Sequence, residues 1–197
     1  MATEGQKRGL TEQDFLDAAA ILGCEIAAIR AVAEVESGPR GGFCPDGFPV
    51  TLFEGHIFFK YTKGVYALNH PTICYPKWTK EFYGRTWTDE RIRLDAAVKL
   101  DRRAALMSAS WGRFQIMGFN YPICNCTHIQ QFVNLMCKSE AVQLDLFCQY
   151  IKHEYLDDEL RDRRWDDFAR RYNGPAYQKN DYAGKLERAY RRNGGAS

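Results

Sequence analysis

The sequence has no strong excess of charge of either sign, no membrane-length apolar segment and no internal repeat. Its 27 lysines and arginines nearly balance 25 aspartates and glutamates. The net charge of +2 therefore predicts no strong electrostatic partner, and nucleic-acid binding is not expected. No stretch is long and apolar enough to cross a bilayer, which argues against stable membrane insertion. Without repeats, low-complexity runs or linkers, residues 1–197 are expected to form a single domain.

The sequence also lacks two further features: the apolar core of a secretory signal and the dense cysteine spacing of a disulfide scaffold. The N-terminus, MATEGQKRGLTEQDF, is polar, so we expect synthesis in the cytoplasm without a signal peptide. The seven cysteines are scattered, which favours reduced thiols. Cys124-x-Cys126-x-His128 is not a usual zinc pattern, so a metal-binding protein is only a weak alternative, and neither a metal nor a cofactor is expected.

Amphipathic segments with helix-start and helix-stop signals dominate the chain and predict a mainly helical fold with little or no sheet. Thr11 begins the first helix, and Gly23 ends it. Thr88 and Thr127 are the predicted caps of two later helices, the first with a possible break at Asp101. The other expected helices are 25–36, 54–61, 139–153, 165–173 and 181–192, and residues 51–53 are expected to be extended.

The second predicted helix, within AVAEVESGPRGGF, places an acid on its apolar face. At 100° per residue, Glu36 projects between Ile29 and Val32. Loss of hydration and the unfavourable field of a helix C-terminus both raise a carboxyl pKa, as a general acid requires near neutral pH. The alternative is a side chain that turns to solvent or pairs with Arg40.

Glu54, in LFEGHIFF, is expected in the first turn of the next helix, where the helix dipole favours the ionised carboxylate. Two acids in settings that separate their pKa values are the pattern of glycoside hydrolysis, so Glu36 and Glu54 form a candidate catalytic pair. A Glu54 side chain that merely caps its helix is the alternative. Asp46, within Pro-Asp-Gly, is typical of an ordinary turn.

Two later segments combine polar side chains with residues that allow close backbone approach. SASWGRFQIMGFNY contains Gln115, an amide among apolar neighbours, which when buried must bond to backbone or to a ligand. RRYNGPAY ends a predicted helix at Tyr172 and Asn173, before Gly-Pro. Each of these residues, taken singly, is typical of a structural role such as bracing a loop or ending a helix.

The order of these segments resembles that of a known superfamily. Glu-Ser at 36–37, Gly-x-x-Gln-Ile-Met at 112–117 and Tyr-Asn-Gly at 172–174 resemble motifs of goose-type lysozymes and soluble lytic transglycosylases, which share a lysozyme-like fold. More closely, VESGPRGGF, LFEGHIFF and SWGRFQIMGFNY resemble the N-acetylmuramidase family of phage endolysins and some bacterial effectors. The match covers roughly residues 12–190, and the motifs are specific in combination.

The resemblance implies a helical lysozyme-like fold and cleavage of the β-1,4 bond between N-acetylmuramic acid and N-acetylglucosamine in bacterial peptidoglycan glycan strands. By position, it makes Glu36 the catalytic acid and Glu54 a second acid. It implies a glycan cleft lined by Ser110, Gln115, Tyr172 and Asn173. Two departures are noted: the separate peptidoglycan-binding module of many relatives is not expected within residues 1–197, and Tyr-Asn-Gly-Pro replaces the transglycosylase Tyr-Asn-Ala-Gly.

The mechanism and the biological setting stay open at this point. Glu54 as a base gives an inverting hydrolase, and as a nucleophile a retaining one. Attack by the C6 hydroxyl of muramic acid gives a lytic transglycosylase, and an inactive glycan-binding module is a further alternative. Release by a holin, as for an endolysin, and delivery by a secretion system, as for an effector with an immunity protein, both lead to the periplasm or cell wall.

Residues 64–87 are irregular and rich in aromatic side chains, and we expect them to cover the site. Pyranose rings stack on aromatic faces, so five side chains are candidates for lining a sugar cleft: Tyr66, Tyr75, Trp78, Phe82 and Trp87. Half or more of them are expected to belong to the core.

Overall fold

The structure is a computed structural model that describes residues 9–38, 41–174 and 177–196, apart from the side chains at 177 and 179. These residues form mainly helices: α1 (Glu12–Leu22), α2 (Ile26–Ser37), α3 (Gly55–Thr62), α4 (Trp87–Leu100), α5 (Arg102–Met107), α6 (Ile129–Met136), α7 (Glu140–His153), α8 (Asp157–Arg161), α9 (Trp165–Asn173) and α10 (Tyr182–Arg192). Three short strands accompany them: β1 (Thr51–Phe53), β2 (Ala109–Trp111) and β3 (Ile116–Met117). The mainly helical prediction is confirmed.

The five helices expected from periodicity agree with the structure to within one residue at each end. The first helix begins with the capping box of Thr11 and ends at Gly23, which adopts a left-handed conformation with φ 65°. Asp101 is both the last cap of α4 and the first cap of α5, so the predicted break there is confirmed.

Two predicted helix caps were wrong by one or two residues. The cap of α4 is Thr86, because its hydroxyl accepts the Asp89 N–H while the Asp89 carboxylate accepts the Thr86 N–H at 2.9 Å. Thr88 lies within the first turn of that helix. The cap of α6 is His128, whose Nδ1 accepts the N–H of Gln131 at 3.1 Å. The preceding Thr127 instead bonds to the Gln131 side chain.

The strands form one small antiparallel sheet in the order β1-β2-β3. Leu52 pairs with Ser110, which in turn pairs with Met117 on its other side. The turn between β2 and β3 contains Gly112 and Gln115, both at positive φ. Glu54, directly after β1, and Gln115, in the turn between β2 and β3, are therefore both positioned by this sheet.

The core forms around α2, which packs against α1 and α10. Ile29 and Val32 are fully buried, and each contributes about 1.5–3 kcal/mol by leaving water. The last turn of α2 emerges from this core at the half-buried Glu36. All seven cysteines are free thiols. Within the described ranges, no helix combines the length and the apolar character that a membrane span requires.

Candidate active site

Glu36 lies in the last turn of α2 and opens into a cleft of about 200 Å³, here called the Glu36 cleft. The walls come from the loop after α2, the start of α4 and the turn between β2 and β3. The residues that line it include Glu36, Gly41, Trp87, Gly112, Arg113 and Gln115. Glu36 lines this cleft but is only partly exposed. Its carboxyl group is therefore less hydrated than that of a surface acid.

Burial raises the pKa of Glu36 to about 7, and a hydrogen bond donated by the Tyr182 phenol to Oε1 works in the opposite direction. Glu34, two residues earlier, faces the other side of α2. A hydrogen bond from Arg192 lowers the pKa of Glu34. The same helix therefore carries one acid that is ionised and one that is partly protonated at neutral pH. Arg40, the alternative partner of Glu36, lies outside the described residues.

Tyr182 is a site residue that the sequence analysis missed. It is the first residue of α10, and the packing of α10 against α2 brings its phenol to Glu36. The Asn173 side chain also hydrogen-bonds this phenol. Burial first, and then the neighbouring Glu36, raise the pKa of Tyr182 well above its ordinary value, so it stays a neutral donor. In the sequence, Tyr182 looks like any aromatic at the start of an amphipathic helix.

Gln115 lines the cleft, and its amide is held by the protein itself. Its Oε1 accepts the Ser110 hydroxyl at 2.7 Å, while its Nε2 donates to the carbonyls of Gly112 at 2.8 Å and Val50 at 3.4 Å. The expected bond to backbone is therefore present. Ser110 is buried and orients the Gln115 amide. Its hydroxyl proton is donated to Gln115 and is therefore not available to a ligand.

Tyr172 and Asn173 lie behind Glu36, at the end of α9. The Tyr172 phenol donates to the Phe114 carbonyl at 2.7 Å, and its ring stacks on Phe168. Burial first, and then the charge of Glu36, raise the pKa of Tyr172 well above its ordinary value. The Asn173 side chain bonds the Tyr182 phenol, which in turn bonds Glu36. The two predicted cleft residues are thus close to the acid and support its surroundings.

Glu54 lies outside the lining of the Glu36 cleft, at the junction of β1 and α3. Glu54 occupies the N-cap position of α3, as the alternative expected, but its side chain makes no capping hydrogen bond to that helix. Oε1 accepts the Tyr83 phenol at 2.7 Å, and Oε2 lies 3.2 Å from Nδ1 of His56. Among the described residues, Oε2 makes no hydrogen bond although it is buried.

The aromatic segment 64–86 is fixed beside Glu54 by a buried carboxylate of α4. Glu90 accepts the N–H of Phe53 at 3.1 Å and the N–H of Gly84 at 2.5 Å, and it forms an ion pair with Arg93. Tyr83, next to Gly84, is thereby held against Glu54.

The five aromatic candidates divide as expected between core and surface. Tyr75 is buried, and Tyr66 packs on the core with its hydroxyl bonded to the Leu100 carbonyl. Phe82 packs on Tyr75, and Trp78 is 58% exposed. Trp87 is the member of the five that lines the Glu36 cleft.

Comparison with known proteins decides the family. A model of the N-acetylmuramidase family matches residues 25–194. The chain belongs to the N-acetylmuramidase family. The crystal structure of the Burkholderia AP3 phage endolysin is 39% identical to it, with a TM-score of 0.86 over 94% of this chain and 71% of that chain. Among curated proteins no match was found. The family resemblance and the lysozyme-like helical fold are therefore confirmed.

In this member of the muramidase family, α7 holds both walls of the cleft. The buried Glu140 carboxylate accepts the N–H of Gly42 at 2.6 Å and forms an ion pair with Arg113, also at 2.6 Å. Gly42 follows α2, whereas Arg113 belongs to the turn after β2. One carboxylate therefore joins the loop beyond Glu36 to the turn that contains Gln115.

Gln143, one turn further along α7, completes this arrangement, which we call the α7 clasp. It is fully buried; its Oε1 accepts the N–H of Arg113 at 2.7 Å, and its Nε2 donates to the Met136 carbonyl at 2.9 Å. A Cβ atom on Gly112 would lie 2.6 Å from Cδ of Gln143, so only glycine fits. Gly41, Gly42 and Gly112 are thus explained by side chains of α7, whereas a Cβ atom on Gly38 would meet nothing within 4 Å.

The segment on which the metal-binding alternative rests, Cys124-x-Cys126-x-His128, makes local contacts in the structure. Over the described residues, no group of three or more histidine, cysteine or acidic side chains is placed to hold a metal ion. His128 caps α6 through Nδ1, and the Cys126 thiol donates to the Cys124 carbonyl. These contacts account for the Cys-x-Cys-x-His segment as local structure.

Proposed function

We propose that this protein is a peptidoglycan hydrolase of the endolysin type that cleaves the β-1,4 bond between N-acetylmuramic acid and N-acetylglucosamine. The supporting observation is Glu36, a half-buried acid at the wall of a cleft with a pKa of about 7. At neutral pH, about half of such groups carry the proton that a glycosidic leaving group requires. Membership of the muramidase family and the likeness to a phage endolysin agree with this substrate.

In the proposed mechanism, Glu36 donates its proton to the glycosidic oxygen while positive charge develops at C1 of the muramic acid. The carboxylate that results accepts the hydrogen bond from Tyr182. A hydrogen bond to a charged acceptor is stronger than one to a neutral acceptor, so Tyr182 stabilises the ionised product of proton transfer. Gln115, with its amide held by Ser110, contributes a fixed wall against the glycan.

Glu54 is the proposed second carboxylate, acting as the base that activates water. Its buried Oε2 lies 3.2 Å from Nδ1 of His56 but makes no hydrogen bond to a described residue, and an unsatisfied buried oxygen is a feature of catalytic groups. This role gives an inverting reaction. Because Glu54 does not line the Glu36 cleft, the lytic transglycosylase, which needs one acid only, is the second candidate. The products distinguish them: reducing ends for hydrolysis, 1,6-anhydro ends for transglycosylation.

The test is digestion of purified sacculi followed by mass spectrometry of the released fragments. We expect reducing N-acetylmuramic acid ends from the wild type, and a fall of at least about 10²-fold in rate for Glu36→Gln. Glu34→Gln is the matched control, since Glu34 lies on the other side of α2, bonded to Asn193 at 2.9 Å. Normal turnover by Glu36→Gln would refute the assignment. Binding of sacculi without any product would instead identify an inactive glycan-binding module.

The proposed site of action is the cell wall. The likeness to a phage endolysin favours holin-dependent release over a secretion system, and an immunity protein belongs only to the effector alternative. A single muramidase domain over residues 1–197 stays a prediction. Co-expression with a holin is expected to lyse bacterial cells, whereas expression of the protein alone is not.

A further inference from the structure

A second pocket, of about 230 Å³, adjoins the Glu36 cleft and shares one wall with it. The shared residue is Trp87, which is 38% exposed and lines both spaces. Beyond Trp87 the walls of this second space, here called the Arg91 pocket, are formed by Cys44, Asp46, Phe48, Thr51, Thr88 and Arg91. A group attached to a glycan in the Glu36 cleft therefore has a neighbouring space to occupy.

The central residue of this pocket is Arg91, which lies one turn after Trp87 on α4. Its guanidinium stacks on the Phe48 ring at 3.3 Å from the centroid, and Phe48 packs edge-on against the buried Trp111. Nε of Arg91 donates to Asp95, the next residue in the same row of the helix, at 3.2 Å. The guanidinium plane is thus fixed from two sides.

The two terminal nitrogens of Arg91 make no hydrogen bond to any described residue. A stacked guanidinium with both terminal nitrogens free is arranged to bind a carboxylate through two parallel hydrogen bonds. Asp46, the carboxylate that also lines the pocket, is exposed, and its Oδ1 accepts the Phe48 N–H at 3.0 Å. The pocket therefore holds one oriented cation and a turn carboxylate at its edge.

The pocket is less suited to another sugar ring. Pyranose rings stack on open aromatic faces, but Arg91 covers the face of Phe48. Trp87, the other aromatic ring, belongs to the wall that the pocket shares with the Glu36 cleft. A glycan strand of intact peptidoglycan has no charge of its own, because the lactyl carboxyl group of muramic acid is bound in an amide. Every carboxylate next to the scissile bond then belongs to the peptide stem.

We propose that the Arg91 pocket binds a carboxylate of the peptide stem that muramic acid carries, with Arg91 as the specificity-determining residue. The inference rests on the proposed function, since it takes the glycan to lie in the Glu36 cleft. Trp87 separates the two parts of the substrate: sugar on the side of Glu36, peptide on the side of Arg91.

The test compares Arg91→Gln with wild type on intact sacculi and on glycan strands from which an amidase has removed the peptides. We expect kcat/KM of Arg91→Gln to fall by about tenfold or more on the peptide-bearing substrate. On denuded strands we expect a change of less than about twofold. Arg103→Gln is the control, because it removes the same charge from an exposed residue that lines a different surface. Arg91→Lys keeps the charge but not the planar fork, so it should restore little of the loss.

Three outcomes would overturn the inference. An equal loss on both substrates assigns Arg91 to glycan binding or to the fold, and a loss confined to denuded strands assigns it to the free lactyl carboxylate. Full activity of Arg91→Lys excludes bidentate recognition.

A binding experiment separates this inference from the proposed function. In the Glu36→Gln background, calorimetry with a disaccharide tetrapeptide should show about tenfold weaker binding after Arg91→Gln. The same disaccharide without peptide should bind equally to both variants, and equal losses for the two ligands would overturn the inference. A wild type without turnover would refute the proposed function and leave this measurement valid.

Discussion

The buried carboxylate of Glu140 forms a 2.6 Å ion pair with Arg113, across 27 residues of chain. Both side chains are largely withdrawn from solvent, with exposures of 6% and 14%. Charges taken out of water are costly unless each is paired and hydrogen-bonded, and Glu140 also accepts the Gly42 N–H. The pair therefore fixes how α7 sits against the turn that contains Gln115.

Glu140→Gln should lower the free energy of unfolding by about 3–5 kcal/mol, because it leaves Arg113 charged, buried and without its partner. Urea denaturation measures the loss. The control is Asp167→Asn, which breaks an exposed ion pair with Arg170 and should cost at most about 1 kcal/mol. Equal effects of the two substitutions would mean that the Glu140 pair contributes no more than a surface contact.

Gly112→Ala and Gly194→Ala provide a matched comparison, since both glycines have positive φ, 70° and 86°. Each substitution should cost about 1–2 kcal/mol for the left-handed backbone. At Gly112 the new methyl group also meets Gln143, whereas nothing lies within 4 Å at Gly194. Gly112→Ala should therefore cost about 1–3 kcal/mol more in thermal or urea unfolding. If both variants lose the same stability, Gln143 moves aside freely and the α7 clasp is not rigid.

Tyr182→Phe should shift the alkaline limb of the pH profile of kcat/KM to higher pH. The Tyr182 hydrogen bond favours the ionised form of Glu36 and lowers its pKa, so its removal leaves burial alone to raise that pKa above about 7. A general acid is active in its protonated form, and the range of activity then extends upward. Tyr172→Phe, which removes a bond to the Phe114 carbonyl, should leave the limb in place. If the alkaline limb does not shift in Tyr182→Phe, the ionisation that produces this limb is not that of Glu36.

Glu36→Gln should also change how stability depends on pH. The folded-state pKa of Glu36, about 7, exceeds its ordinary value of 4.5, so its contribution to stability is complete below pH 4.5 and is lost as the pH rises through 7. The loss amounts to at most about 3 kcal/mol. The variant does not titrate at this position, so its stability relative to the wild type should increase by about 1–3 kcal/mol between pH 4 and pH 8. A constant difference in urea unfolding would show that Glu36 titrates alike in folded and unfolded chains.

The features that the sequence predicted are those set by local periodicity. The half-buried position of Glu36 follows from the spacing of Ile29 and Val32 on one helix, and the ends of most helices follow from residues within one turn. Thr86 and Thr88 show the limit of such local signals. Both lie at the start of α4, and the reciprocal bond of Thr86 with Asp89 distinguishes them.

The partnerships that complete the site join distant parts of the chain. Tyr182 meets Glu36 across 146 residues, and Glu140 meets Gly42 across 98. Helical periodicity predicts only that these side chains face inward, and the docking of α10 and α7 decides which residues they meet. Gln115 lies between these two cases. The sequence predicts that its buried amide needs a hydrogen-bond partner, but which residue serves as partner, here Ser110, depends on the pairing of β2 with β3.

The packing of α10 against α2 also determines when, during biosynthesis, Glu36 acquires its raised pKa. A ribosome delivers the chain from its N-terminus, so α2 emerges long before the phenol that completes its last turn. Until α10 has left the exit tunnel and docked, α2 lacks one of the helices against which it packs, so the burial that raises the pKa of Glu36 is incomplete. The raised pKa at position 36 is therefore a property of the finished fold and not of the emerging helix.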